Sequence, residues 1–230
     1  MKSEQKNQKA ARAIVSFTDS YVQNKQRKQN KQQKSKSTLS LAQVTSSLEY
    51  LLDQIHDQKF RKQVIRIPKL LQSLIALVTF RLGTHLREQT DLLRLKVRRQ
   101  SRLCLYWIQY NGEEQDQTVL VRQGYGRVMS ITFSTAGGVG EEEDYEIYSG
   151  LIYIYYFFRK LHERRSYDWQ RSIHPLPLLL RRSEEQIEEE GAIEEIEAQM
   201  NNKGYYGNIK QYANEAKTTI LNRFIHRRRI

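Results

Sequence analysis

Apolar residues recur at three- and four-residue spacing over two stretches in the first half of the chain. Leu41, Val44, Leu48, Leu51, Leu52 and Ile55 form the first. That spacing puts them on one face of a helix, with Ser37 or Thr38 as its cap. Leu70, Leu71, Leu74, Ile75, Leu77, Val78 and Leu82 form the second, just after Pro68. Proline is tolerated in the first turn of a helix, so a second helix is expected to open there. It is expected to continue to Arg99 with a break near Gly83. Leu92–Arg102 is ambiguous between helix and strand, because apolar residues at 92, 93, 95 and 97 interleave with Arg94, Lys96, Arg98, Arg99 and Arg102.

The pattern then changes. Residues 103–110 read LCLYWIQY and are followed by Asn111-Gly112, the dipeptide of tight hairpin turns. Residues 118–122 (TVLVR) and 127–134 (RVMSITFS) are rich in β-branched and aromatic side chains. The expectation is a three-stranded antiparallel meander over 103–134. Glycines at 137, 138 and 140 then break the pattern. Residues 141–165 open with Glu141, Glu142, Glu143 and Asp144 and close with Arg159, Lys160, Arg164 and Arg165, which complements a helix dipole. The apolar run Ile147–Phe158 inside it predicts a helix buried on most sides or a strand, since Tyr, Ile and Phe favour sheets, and the helix is preferred. Pro175 and Pro177 mark a boundary. Ser183-Glu184-Glu185-Gln186 has the form of a capping box and predicts an acidic helix to Met200. A last helix is expected over 207–226. No internal repeat is legible.

These elements give a mainly α (α+β) class. A helical domain carries the small β-meander, behind a disordered basic N-terminal arm and ahead of charged C-terminal helices. The expected boundaries are 1–37 for the arm, 38–180 for the principal domain and 181–230 for the helical extension. The arm reading rests on 23–38, a polar cationic stretch with too little apolar surface to order itself. Ala10, Ala11, Ile14, Val15 and Phe17 ahead of it suit a transient or docking helix. Three prolines and eleven glycines in 230 residues favour helices over a loop-rich sandwich.

Charge adds more than composition does. The formal net charge is +12, and it is sorted into blocks. Residues 1–36 and 59–102 are strongly basic, 183–200 carries eight glutamates and no base, and Arg227, Arg228 and Arg229 form a last basic cluster. Separated basic blocks point to a polyanion. The residues expected to contact nucleic acid are Lys59, Arg61, Lys62, Arg66 and Lys69 at one helix junction. A second patch is Arg94, Lys96, Arg98, Arg99 and Arg102. Arg122, Tyr125 and Arg127 in a turn would stack on a base and pair with phosphate. Gly124-Tyr125-Gly126 has part of the glycine–aromatic–glycine pattern of an RNA-stacking strand. Gln123, Arg127 and Ser130 depart from it, and a glycine-bracketed turn is the simpler reading.

No catalytic pattern is present. His56, His85, His162, His174 and His226 lack metal-ligand spacing to one another or to Cys104, and no phosphate-binding glycine loop occurs. No enzyme activity, metal or cofactor is expected. The single cysteine excludes an internal disulfide framework. With no secretory signal pattern and no membrane-length apolar run, an intracellular location is expected, cytoplasmic or nuclear. The leading expectation is a non-enzymatic protein binding nucleic acid, RNA ahead of DNA, within a ribonucleoprotein-type assembly. One alternative is a peripheral, matrix-like protein on anionic lipid, inserting Leu70–Leu82 or Ile147–Phe158. Another is a protein-only scaffold docking other proteins of an assembly through Glu184–Glu197.

Overall fold

The computed structural model describes residues 2–28, 38–80, 88–134, 144–162, 165–167, 170–173 and 175–221. The chain forms two compact units, Met1–Ile108 and Gln109–Ile230.

Unit 1 contains α1 (Lys2–Lys28), α2 (Thr38–His56), α3 (Gln58–Ile65), α4 (Leu70–Val78) and most of α5 (Glu88–Asn111). The stripe read on α2 is the core: Leu41, Val44, Leu48, Leu51 and Ile55 are buried. α1 packs against α2 and α4. It buries Ala10, Ala11 and Ile14, and Tyr50 donates to Asn7 Oδ1 at 3.0 Å. Phe17 and Tyr21 meet Phe80 edge-on, with centroids 5.3 and 4.8 Å away. The disordered arm is therefore corrected over 2–28. Small residues at 10 and 11 let the helix approach closely, and burial of its apolar face contributes order that the polar sequence alone does not. Residues 29–37 lie outside the described residues.

Unit 2 contains α6 (Glu114–Arg122), α7 (Tyr125–Ser130), α8 (Asp144–His162), α9 (Pro177–Glu189), α10 (Ala192–Gln199) and α11 (Asn208–Leu221). A short antiparallel pair, β1 (Arg165–Tyr167) and β2 (Gln170–Ile173), follows α8. Leu151, Ile154, Phe157, Phe158 and Leu161 of α8 are buried, each worth about 1.5–3 kcal/mol relative to exposure.

The β-meander is overturned: residues 103–134 hold the end of α5, α6 and α7, and no strand. Helical burial explains why. On α5 the buried positions are 94, 97, 98, 101, 102, 104, 105, 108 and 109, a three–four spacing in which five of the nine are arginine, serine or glutamine. Read for apolar residues alone, half the stripe vanishes. Asn111-Gly112 is a helix–helix link rather than a hairpin turn. The Glu113 N–H donates to Asp116 Oδ2 at 2.8 Å, fixing the start of α6. Gln117 Nε2 reaches back to the Gln109 carbonyl at 2.7 Å. Tertiary contacts of this kind override β-propensity. Ser183 likewise does not start a helix. Pro177 does, and Ser183 sits inside α9 with its hydroxyl on the Leu179 carbonyl. The predicted acidic helix is broken at Gly191 into α9 and α10.

An internal repeat emerges that the sequence hides. Three times, a short helix, a residue in left-handed conformation, a second short helix and a long helix follow in order: α3–α4–α5, α6–α7–α8 and α9–α10–α11. The left-handed residues are Lys69 (φ 61°), Gly124 (φ 81°) and Gly191 (φ 65°). The next residue, Leu70, Tyr125 or Ala192, is fully buried, and so is the one four further on, Leu74, Met129 or Ile196. The long helices share a buried i, i+4, i+7, i+11 stripe. It is Arg94, Arg98, Ser101, Leu105 on α5 and Ile147, Leu151, Ile154, Phe158 on α8. On α11 it is Ile209, Ala213, Ala216, Ile220. Within unit 2 equivalent helices pack on one another, α8 on α11 and α6 on α9, as in a stacked helical-repeat array.

Candidate functional site

The long helices of unit 2 lie side by side and carry the most unusual surface of the molecule. Tyr145, Tyr148, Tyr155 and Tyr156 come from α8, Tyr212 from α11, Tyr205 from the turn before α11 and Tyr110 from the end of α5. All seven are half-exposed. Each ring touches the next, forming one continuous chain. Centroids lie 5.8 Å apart for Tyr145–Tyr205, 4.4 Å for the stacked Tyr148–Tyr205 pair and 5.3 Å for Tyr148–Tyr212. They continue at 6.2 Å for Tyr155–Tyr212, 5.0 Å for Tyr155–Tyr156 and 5.7 Å for Tyr110–Tyr156. The spacing explains the geometry. Tyr148 and Tyr155 are two helical turns apart on α8, and Tyr212 contacts both.

Ring faces carry negative electrostatic potential, so this surface suits cations. One is already there: the Arg159 guanidinium lies 5.8 Å from the Tyr155 centroid and donates to the Tyr155 hydroxyl at 3.1 Å. Desolvation, reinforced by neighbouring tyrosines, holds the Tyr148 and Tyr212 phenols above their ordinary range. Both therefore stay neutral at physiological pH. Their contribution to stability is present below pH 10, the phenol's ordinary value, and is lost as pH rises through the higher folded-state value.

Behind this face, Lys160 is 1 % exposed and donates to the carbonyls of Gln109, Tyr110 and Gly112, each at 2.8 Å. A cation at the carboxyl end of α5 complements the helix dipole and donates to carbonyls at the helix end, of which Gln109 also accepts from Gln117. Gly150 lets α8 approach the segment after α7, since a Cβ there would overlap Thr132 Oγ1. These two residues fix the helix that presents the tyrosines.

The sequence-predicted contact residues do not form one surface. At the first junction, Lys62, Arg66 and Lys69 are exposed, and Lys69 pairs with Asp19 at 3.8 Å. Arg61 is half-buried, its Nε donating to the Ile55 carbonyl at 3.1 Å. The side chain of Lys59 lies outside the described residues. The second patch is divided. Arg94, Arg98 and Arg102 are 5, 3 and 3 % exposed, and belong to the interior. Arg94 holds Asp91 at 3.0 Å and Arg98 Nη1 reaches the Phe80 carbonyl at 3.4 Å. Lys96 is exposed and paired with Glu49 at 2.6 Å, and Arg99 is half-buried. In the turn, Arg122 is exposed, but Tyr125 is fully buried with its centroid 4.7 Å from Phe157, so its ring is closed to a base. Arg127 is exposed and engaged by Glu189 and Glu190. Arg227, Arg228 and Arg229 lie outside the described residues.

The acidic segment thus answers cations of its own unit: Glu189 and Glu190 hold Arg127, Glu197 holds Lys217 at 2.8 Å, and Glu185 holds Arg181 at 3.1 Å. The apolar runs proposed for lipid insertion face inward over their described residues, outside which Leu82 lies. Leu70, Leu71, Leu74, Leu77 and Val78 are buried, as are Ile147, Leu151, Ile154, Phe157 and Phe158. Among the described residues no helix is long and apolar enough to cross a membrane, and no group of side chains could hold a metal ion. Cys104 is fully buried, and burial pushes its thiol far above the ordinary range, which makes it unreactive.

Sequence reasoning singles out these tyrosines as an interface surface or, in preference, as core; that they form one face is not legible, because it is assembled from four segments of chain. The signal that existed was the density of tyrosine on 145–156 and 205–212. No family model, no curated protein and no solved structure matches this chain.

Proposed function

We propose that this chain is a non-enzymatic docking protein, and that unit 2 binds an extended, Lys/Arg-bearing segment of a protein partner across the tyrosines of α8 and α11. The carrying observation is the unbroken chain of half-exposed rings on two stacked repeats, with a guanidinium already over one of them. Stacked helical repeats offer extended surfaces of this kind, and tyrosine supplies contact area at low entropic cost. The test is fluorescence anisotropy of the full chain with basic, neutral and acidic peptides of equal length. Basic peptides are expected to bind, and Tyr148→Ala with Tyr212→Ala to weaken them about tenfold. Tyr→Phe changes at the same sites are expected to retain most of the affinity, since the ring face remains. No preference for basic peptides, or indifference to the alanine changes, would reject the reading.

A second reading is favoured by the charge of unit 1, where residues 1–108 hold 22 Lys/Arg against 7 Asp/Glu. There the chain contacts nucleic acid, RNA ahead of DNA, in a ribonucleoprotein-type assembly, through the exposed Lys62, Arg66 and Lys69. Single-stranded RNA binding with a steep salt dependence supports it, and salt-independent or absent binding counts against it.

A further inference from the structure

In unit 1, α1 and the α3–α4 junction enclose a cleft of about 460 Å³. One wall is a single face of α1, contributing Arg12, Val15 and Ser16. The other is the turn after α3, contributing Arg66, Ile67 and Pro68. That turn is fixed by backbone bonds from Ile67 N–H to the Val64 carbonyl at 3.1 Å and from Leu70 N–H to the Ile67 carbonyl at 3.2 Å. Packing of α1 on α4 sets the opposite wall. Both sides of the cleft are therefore built by the fold.

Its chemistry is specific. Arg12 and Arg66 are exposed, and neither side chain forms an ion pair or hydrogen bond with another described residue. The contrast within the same unit is sharp. Lys69 holds Asp19, Lys96 holds Glu49, and Arg94 holds Asp91. Two guanidiniums left unpaired on facing walls keep all their donors for a ligand, and their planar forks match phosphate oxygens. Between them Val15, Ile67 and Pro68 give the cleft an apolar side. A site of this volume accommodates a small organic molecule. Inorganic anions use only the charge, whereas a ligand pairing a phosphate with a flat apolar body uses both.

We propose that this cleft binds a nucleotide, with Arg12 and Arg66 on the phosphate and Val15, Ile67 and Pro68 against the base or sugar. The ligand is either free or one residue of a nucleic-acid strand. The proposal is independent of the docking role of unit 2. Its strand-borne form rests on the nucleic-acid reading of unit 1.

Calorimetric titration of the full chain with adenosine 5′-monophosphate, adenosine and a short single-stranded RNA tests it. The monophosphate is expected to bind and adenosine to bind at least tenfold more weakly. Arg12→Ala and Arg66→Ala are each expected to weaken the monophosphate about tenfold, the size of a lost charge-assisted bond. Both side chains are exposed, so the fold survives their removal. Lys9→Ala, an exposed cation of α1 outside the cleft, is expected to change affinity less than about twofold. Equal binding of adenosine and its phosphate overturns the proposal, as does indifference to both arginine changes. RNA binding that weakens with the arginine changes supports the strand-borne form. RNA binding that survives them, with no monophosphate binding, overturns the cleft and leaves the nucleic-acid reading of unit 1 standing. No binding of either ligand to the unaltered chain overturns both.

Discussion

The long helix of unit 1 and the long helices of unit 2 occupy the same place in the same helix triplet, yet their buried stripes are filled in opposite ways. On α5 it holds Arg94, Arg98 and Ser101 where α8 has Ile147, Leu151 and Ile154. The two arginines of that stripe have particular partners: Asp91 for Arg94, the Phe80 carbonyl for Arg98. The stripe on α8 depends on shape alone. Burial of a charge is tolerated only where the surroundings supply its hydrogen bonds. What the two regions share is therefore backbone geometry, and what differs is how much chemistry each interior needs to hold it. Charge diverges as well. Residues 1–108 carry 22 Lys/Arg against 7 acids, and residues 109–230 carry 16 against 19. One unit is strongly basic and the other slightly acidic.

Exchanging residues at equivalent positions is the strongest challenge to this comparison. Leu151→Arg puts the residue of α5 into α8, on the buried apolar stripe of Ile147, Ile154 and Phe158. It is expected to cost about 4 kcal/mol or more and to unfold unit 2. The reciprocal change, Arg98→Leu, leaves the Phe80 carbonyl without that donor but removes a buried charge. It is expected to cost no more than about 2 kcal/mol. Urea denaturation of both variants decides the matter. Equal losses would mean that the two stripes are sustained by the same forces.

Among the described residues unit 2 buries one cation, and it sharpens the contrast. Lys160 donates to three carbonyls at the end of α5. Lys160→Met preserves length and removes the donors, and about 3 kcal/mol of stability is expected to go with them. The same variant is expected to weaken peptide binding, because Tyr110 and Tyr156 lose the fixed geometry that joins them. A melting temperature within about 2 °C of the unaltered chain would show that water replaces the ammonium at no cost.

These residues also show what sequence can and cannot reveal. The helices α2 and α4 are legible because their buried positions are apolar and regularly spaced, whereas α8, apolar almost all round, is favoured over a strand only by the charges at its ends. α5 beyond residue 99 is not legible, since Arg98, Ser101, Arg102 and Gln109 interrupt the apolar pattern. The aromatic and β-branched character of 103–134 then suggested strands. The repeat was hidden for a related reason. Its hinge is glycine at 124 and 191 but lysine at 69, and the stretches before each long helix differ in length. Of the candidate contact residues, exposure was legible for Lys62, Arg66 and Lys69. It was misleading for Arg94, Arg98, Arg102 and Tyr125, because side-chain chemistry alone does not say which face of a helix it occupies. Arg12, the partner of Arg66 across the cleft, lay in a segment whose composition suggested a disordered arm.

The smallest effect tests the repeat itself. Gly124 and Gly191 adopt positive φ without cost, whereas Lys69 adopts it against the preference of a residue with a Cβ. At Gly191 a Cβ would meet nothing nearer than Glu194 Oε2 at 3.8 Å, so steric crowding does not contribute. Gly191→Ala is then a measure of backbone conformation alone, and a loss of about 1 kcal/mol is expected. Lys69→Gly is expected to do the reverse, gaining about 0.5 kcal/mol. The relief of strain slightly exceeds the added freedom of the unfolded chain, and the exposed pair with Asp19 contributes little. Opposite signs from two hinge substitutions, read from denaturation midpoints at constant slope, are what equivalent hinges require. A destabilising Lys69→Gly would mean that the lysine side chain holds the α3–α4 junction, and that the triplet of unit 1 reaches its shape by a different route.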